Sequence, residues 1–327
     1  MSRSRIKTWL SVAARYALGA ALVCWLVHTR VLDFSPLASI SPAFVGEAAL
    51  LGIAVTALSS WRIQYLLADQ QIEVSYRRCL VVNCIGLFYS LFLPGGISGD
   101  AARAYYFFGD AQRKRIAVVG ALLLDRFLGL VTLVALGIIS GLFLASKLPR
   151  VVPYLAWSTV LLVAMLVGLV ISIRYEIEHR QTPGAHRLLR AWEAARGAFA
   201  RLHMSDYSPR TLAVSVALSA LMNVLMIALI YLCSILNASQ LGLVQVAAAA
   251  PLGLLTNAVP LSPGGLGVGE KSFDVLYRTL GGVNGAGAFL TTRIFLYCPA
   301  LLGGAYAAWH LFALRRRPAP ATAPPED

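Results

Sequence analysis

A chain of 327 residues that is 58% hydrophobic and only 13% charged, with a mean hydropathy of +0.70, is too apolar for a soluble domain and reads as an integral membrane protein. Its formal net charge of +13 does not mark a nucleic-acid binder, because the basic residues are scattered between long apolar runs and line no soluble face. The dispersed cysteines and histidines give no CxxC pair and no metal-ligand spacing, and no HExxH, phosphate-loop or Ser-His-Asp signature appears, so neither a metal nor a cofactor is expected.

In chain order, Arg3, Arg5 and Lys7 precede an apolar stretch from Trp9 to about Val31, which is too long for a secretory leader and is read as a first span. Arg15 lies near enough to its start to reach the interface. Ala43 to Leu67 forms a second span, with Arg62, Arg77 and Arg78 gathered toward its far end. The segment from Cys79 to Phe108 is then broken by Pro94-Gly95-Gly96, and each arm is too short to cross a bilayer core of about 30 Å. Basic residues flank it on both sides, at Arg77-Arg78 and at Arg113-Lys114-Arg115, so the positive-inside rule predicts a re-entrant hairpin that enters and leaves on the cytoplasmic face.

Ile116 to Ala145 makes a third span with Asp125 and Arg126 in its interior, and Val151 to Ile173 a fourth. Residues 174–210 form the one sizeable polar segment, with seven arginines, and are predicted to be cytoplasmic. Leu188, Trp192, Ala195, Phe199 and Leu202 repeat within it at steps of four and three, the pattern of an amphipathic surface helix. Thr211 to Leu236 is a fifth span and Ala286 to Leu314 a sixth. Between them residues 246–280 are broken by Pro263-Gly264-Gly265, a second hairpin predicted to open outward. A Pro/Ala-rich tail, 315–327, is expected to be disordered and cytoplasmic. With both ends cytoplasmic, 21 of the 28 basic residues fall inside and four outside, the remaining three lying at membrane depth.

The two interrupted stretches are near copies. LFYSLFLPGGISGDAARAYY (Leu87 to Tyr106) and LLTNAVPLSPGGLGVGEKSFDVLY (Leu254 to Tyr277) each carry an apolar run, a Pro-Gly-Gly break and an acid in the next run, Asp100 or Glu270. Residues 1–145 and 146–314 therefore read as two repeats of span, span, hairpin, span that begin on opposite sides of the membrane, an inverted-topology repeat. The fold class expected is an all-α polytopic membrane protein of about six spans with two re-entrant, broken-helix hairpins.

In that arrangement the tips at Gly95-Gly96 and Gly264-Gly265 approach mid-membrane, and the helix N-termini behind them favour an anion such as phosphate. Arg126 and Arg293, at similar distances after the two prolines, are expected to add full positive charge as a matched pair. Arg103 and Asp125 join the candidate binding set with Asp100 and Glu270, the two first-turn acids being read either as cation or proton handlers or as simple complements of the helix dipole. Lys271 and Asp274 are expected near the outer mouth, and Asn83 and Asn257 are expected to hydrogen-bond within the hairpins.

At FLPGGISGDAARAYYF (Phe92 to Phe107), LDRFLG (Leu124 to Gly129), PLSPGGLGVGE (Pro260 to Glu270) and TTRIFLY (Thr291 to Tyr297) the sequence resembles the lysylphosphatidylglycerol synthase transmembrane-region family, also described as flippase-like membrane proteins. In some relatives this region is fused to a soluble aminoacyl-transfer domain; no counterpart of that domain is read in this sequence, so the resemblance implies no synthase activity. It implies instead a protein of the cytoplasmic membrane that moves or presents a lipid with a phosphate-bearing headgroup. The partners expected are membrane lipids with anionic headgroups, and lipid-biosynthetic enzymes if the chain serves as their non-catalytic partner. A membrane-integral glycosyl- or lipid-transferase, with Asp100, Asp125 or Glu270 as base, is the competing expectation.

Overall fold

Two serine-proline pairs start two helices of equal length. Ser41 Oγ accepts a hydrogen bond from Phe44 N at 3.2 Å with Pro42 as the first helical residue, and Ser208 Oγ accepts from Thr211 N at 3.2 Å with Pro209 in the same place. A short side-chain acceptor followed by proline satisfies the first free N–H groups and presets the first φ. In the computed structural model, which describes residues 40–92, 98–111, 114–145, 148–149, 152–175, 207–257 and 265–315 with Cys24 and His28 ahead of them, the described residues form helices and no strand. The helices are α1 (Pro42–Asp69), α2 (Tyr76–Phe92), α3 (Ser98–Asp110), α4 (Arg115–Ala145), α5 (Val152–Tyr175), α6 (Pro209–Leu236), α7 (Leu243–Asn257), α8 (Val268–Thr279) and α9 (Gly285–Arg315).

The protein is an all-α polytopic membrane protein. Four helices, α1, α4, α6 and α9 over Gly285–Tyr306, are long and apolar enough to cross a bilayer; α5 and α7 are apolar over the shorter stretches Val152–Val167 and Leu243–Thr256. Apart from Cys24, His28 and Arg315, the expected first span, the amphipathic segment and the tail lie outside the described residues, as do the tip residues 93–97 and 258–264. Both interrupted segments end one helix and begin another where the Pro-Gly-Gly breaks stand: α2 stops at Phe92 before α3 begins at Ser98, and α7 stops at Asn257 before α8 begins at Val268.

The helix lengths recur in order. α1 to α4 run 28, 17, 13 and 31 residues, and α6 to α9 run 28, 15, 12 and 31. The first residues of α1 and α6, and of α2 and α7, are 167 positions apart; those of α3 and α8, and of α4 and α9, are 170 apart. Even the turn after the first helix repeats, with left-handed backbone at Gln71 (φ 56°) and Ala238 (φ 49°).

The two sets interlock. α9 packs on α2 and α4 packs on α7, so the last helix of each set covers the first short helix of the other, while α1 and α6 pack together. Close approach needs small residues, as is common where helices associate within lipid. A Cβ on Gly303 would stand 2.2 Å from the Cys84 carbonyl carbon, one on Gly52 2.7 Å from the Phe295 oxygen, and one on Gly137 2.3 Å from the Pro251 ring. One buried cluster gathers Ile63, Leu66, Leu67, Val82, Phe107 and Leu124; another gathers Ile230, Val246, Phe273, Tyr277 and Phe289.

Candidate functional site

Asp100 sits in the first turn of α3, where a carboxylate is favoured by the helix dipole, and faces α4. Arg126 lies eleven residues into the 31-residue α4, roughly 16 Å along it and within its apolar span. Its guanidinium meets Asp100 side-on: Nε donates to Oδ2 at 2.9 Å and to Oδ1 at 3.2 Å, and Nη2 donates to Oδ1 at 2.9 Å. Arg103, one turn beyond Asp100, donates from Nη1 to the same Oδ1 at 3.1 Å. The two arginines differ in access. The Arg126 side chain is 48% exposed and that of Arg103 only 5%.

Arg103 is held where glycine leaves room. A Cβ on Gly86 would lie 2.4 Å from Arg103 Nε, so the guanidinium stem runs directly over the α2 backbone, and among the described residues Nε has no hydrogen-bond partner. Arg126 spends its Nε and Nη2 edge on Asp100, and among the described residues no acceptor meets Nη1. Its outward edge is a free fork of N–H donors, the geometry that matches two oxygens of a phosphate or carboxylate.

Asp125 points elsewhere, as neighbouring positions on a helix must. Arg62 Nε donates to its Oδ1 at 2.6 Å, and Arg62 Nη1 donates to Ser219 Oγ, which in turn donates to the Ser215 carbonyl. This buried ion pair ties α1, α4 and α6 together. Asn223 Nδ2 extends the polar seam to the Gly129 carbonyl at 3.0 Å and Thr132 Oγ1 at 2.8 Å. Arg62 and Arg103, both counted with the cytoplasmic charges in the sequence, are thus buried side chains.

In the second set the corresponding acid and arginine are sealed. Glu270 Oε2 accepts from the Gly267 N–H at 2.7 Å, bracing the first turn of α8 at a residue whose φ of 82° suits glycine. Glu270 Oε1 lies 2.8 Å from Arg293 Nε, Arg293 Nη2 donates to the Gly265 carbonyl at 2.9 Å, and the guanidinium stands 4.8 Å over the Phe289 ring. Both side chains are buried, at 1% and 4% exposure. Asp274, also buried, is held between Lys271 at 3.3 Å and Arg278 at 3.0 Å, two side chains that remain exposed.

The structure therefore brings Asp100, Arg103 and Arg126 together, and separately Gly265, Glu270 and Arg293; Gly95, Gly96 and Gly264 fall outside the described residues. The arginines are not quite in register. Counted by the 170-residue offset, Arg126 corresponds to Leu296 and Arg293 to Leu123, close to one turn apart, yet each reaches the first-turn acid of its own hairpin. Asn83 departs from expectation too: its amide leaves the hairpin and donates to the Thr56 carbonyl at 3.2 Å and Ser60 Oγ at 3.0 Å on α1. Sequence reasoning missed the Arg62 ion pair. Its signal was present as a polar stripe at steps of four, Ser215, Ser219 and Asn223 on α6 and Thr56 and Ser60 on α1, which marks a helix face that needs polar partners.

Compared with known proteins, the chain matches a family model described as "Lysylphosphatidylglycerol synthase TM region" over residues 12–304. No curated protein matches it significantly.

Proposed function

The chain belongs to the lysylphosphatidylglycerol synthase transmembrane-region family, and from that premise we propose that it translocates or presents a lipid with a phosphate-bearing headgroup across the cytoplasmic membrane. The observation that carries this reading is the half-exposed guanidinium of Arg126 with its unused fork, far from either end of a membrane-spanning helix. A cation at such depth costs about 2.5 to 3.5 kcal/mol on insertion scales, and one carboxylate shared between two arginines does not neutralise it. An anionic headgroup would. The transferase alternative is less well supported, since Asp125 and Glu270 are buried in ion pairs and Asp100, though partly exposed, is held by both Arg103 and Arg126.

In this reading the two sets of four helices have opposite orientations, the interrupted segments are re-entrant hairpins, and both chain ends are cytoplasmic. The repeated helix lengths and offsets support the repeat, and the basic flanks of the first hairpin support its side. Glu73→Cys and Gly242→Cys, both exposed in the turns before α2 and α7, are expected to react with an impermeant thiol reagent from the cytoplasmic and the outer side respectively. Labelling from one side alone would end the inverted arrangement.

The functional test is headgroup accessibility of a phospholipid in vesicles reconstituted with the protein. Arg126→Gln, which keeps a polar side chain but removes the charge and the fork, is expected to lose at least about tenfold in lipid movement, with partial rescue by Arg126→Lys. Wild-type rates in the Gln variant would overturn the reading, and a covalently altered lipid in the same vesicles would transfer it to the enzyme alternative.

A further inference from the structure

The ionised groups deep in the described helices pair almost one to one. Arg62 is matched by Asp125 and Arg293 by Glu270, each pair buried and neutral. At the head of α3, Asp100 faces both Arg103 and Arg126 and leaves one positive charge in surplus; Asp274 also meets two cations, but Lys271 and Arg278 carry theirs on exposed side chains. Asp100 is fully engaged, its Oδ1 shared by both arginines and its Oδ2 taken by Arg126 Nε. The Arg103 side chain is packed over Gly86 and only 5% exposed, so it presents no open edge to a ligand. The surplus is therefore delivered at one edge only, the free fork of Arg126.

Resting on the lipid reading above, we propose that this site selects a headgroup phosphate bearing a single negative charge, a phosphodiester, over a phosphomonoester bearing two. The fork supplies two parallel N–H donors for two phosphate oxygens, and one charge brings the trio to neutrality. A second charge on the ligand doubles its attraction to the trio but raises its desolvation cost about fourfold, since that cost grows as the square of the charge. A monoester phosphate carries about −1.5 to −2 at pH 7, with its second ionisation near pH 6. The preference is accordingly expected to depend on pH through the ligand.

The test is competition between dioleoylphosphatidylglycerol and dioleoylphosphatidic acid for the purified protein, read by native mass spectrometry. The wild type is expected to favour the diester by about tenfold at pH 8 and by about twofold or less at pH 5, where the monoester holds close to one charge. Asp100→Asn, which raises the trio to two surplus charges, is expected to cancel or reverse the preference at pH 8. A wild-type ratio that does not move with pH overturns the proposal without recourse to any variant, as does a folded Asp100→Asn protein with the wild-type ratio. Arg126→Gln separates the two levels: unchanged diester binding there defeats the lipid-site reading, whereas lost binding with a pH-independent wild-type ratio defeats the charge selection alone. Dimethyl phosphate, with the same charge and no acyl chains, competing as well as the lipid would keep the charge rule and assign it to a free phosphodiester.

Discussion

The two short helices after the Pro-Gly-Gly breaks start alike and end up in opposite situations. α3 presents Asp100 to an arginine that is half open, and α8 presents Glu270 to one that is closed over by Phe289 and the Gly265 carbonyl. Around the open pair the first set keeps a second buried ion pair, Arg62 with Asp125, where the second set has Leu229 and Phe295 at the corresponding positions. Around the closed pair the second set has a stack of rings, Phe273 on Phe289 at 4.2 Å, with Phe273 standing where the first set has Arg103. One helical plan thus carries an open ion-pair cluster and a second buried pair in one half, and in the other an enclosed ion pair beside stacked rings. Both halves keep buried charge, and what distinguishes them is access to the arginine beside the first-turn acid.

The largest effect expected from this contrast is at Asp125. Asp125→Leu alone leaves Arg62 buried without its partner and is expected to destabilise the protein by about 3 to 5 kcal/mol, whereas Arg62→Met combined with Asp125→Leu should recover most of that loss, because the second set already fills these positions with apolar side chains. Chemical unfolding in detergent measures both. Equal instability of the single and double variants would mean that the halves are not interchangeable in packing.

Next comes the pair of arginines. Arg293→Gln removes a buried guanidinium from Glu270 and is expected to cost about 3 kcal/mol, while Arg126→Gln, at a half-exposed pair, is expected to cost less than about 1 kcal/mol. The sequence alone predicts equal behaviour for these two variants, so melting temperatures that rank them in the opposite order would dissolve the distinction between open and closed. The smallest effect concerns the two corresponding glycines. A Cβ at either would come within 2.4 Å of its neighbour, Arg103 at Gly86 and the Phe273 ring at Gly253. The ring is wedged by its stack and the arginine stem can bend, so Gly253→Ala is expected to cost about 2 kcal/mol and Gly86→Ala less than about 1 kcal/mol.

What could be foreseen divides along a physical line. Hydropathy fixes helix ends well when a proline follows a capping serine or interrupts an apolar run, and the bounds of α1, α4, α6 and α9 fall within a few residues of the expected spans. The pairing of Asp100 with Arg126 was within reach because intramembrane charges are few and costly. Access was not. Nothing in the residues around Arg293 states that Phe289 and the Gly265 carbonyl close over it, since that depends on how α8 and α9 cross. Arg62 was misread for a related reason: seven residues from the end of α1 it looks able to reach the interface, and only the packing of α4 and α6 against α1 directs it inward to Asp125 and Ser219.

The cross-packing of the two sets also sets a timetable for biogenesis. α2 finds its neighbour in α9, where Gly303 closes on the backbone at Cys84 and Gly304 on the Phe88 ring, contacts 219 and 216 residues apart in the chain. At synthesis rates of about 5 to 20 residues per second, the first hairpin must wait roughly 10 to 45 s in the membrane before the helix that covers it is made. A newly inserted first half is therefore a transient client with an uncovered flank, and the last long helix acts as the clasp that ends its exposure.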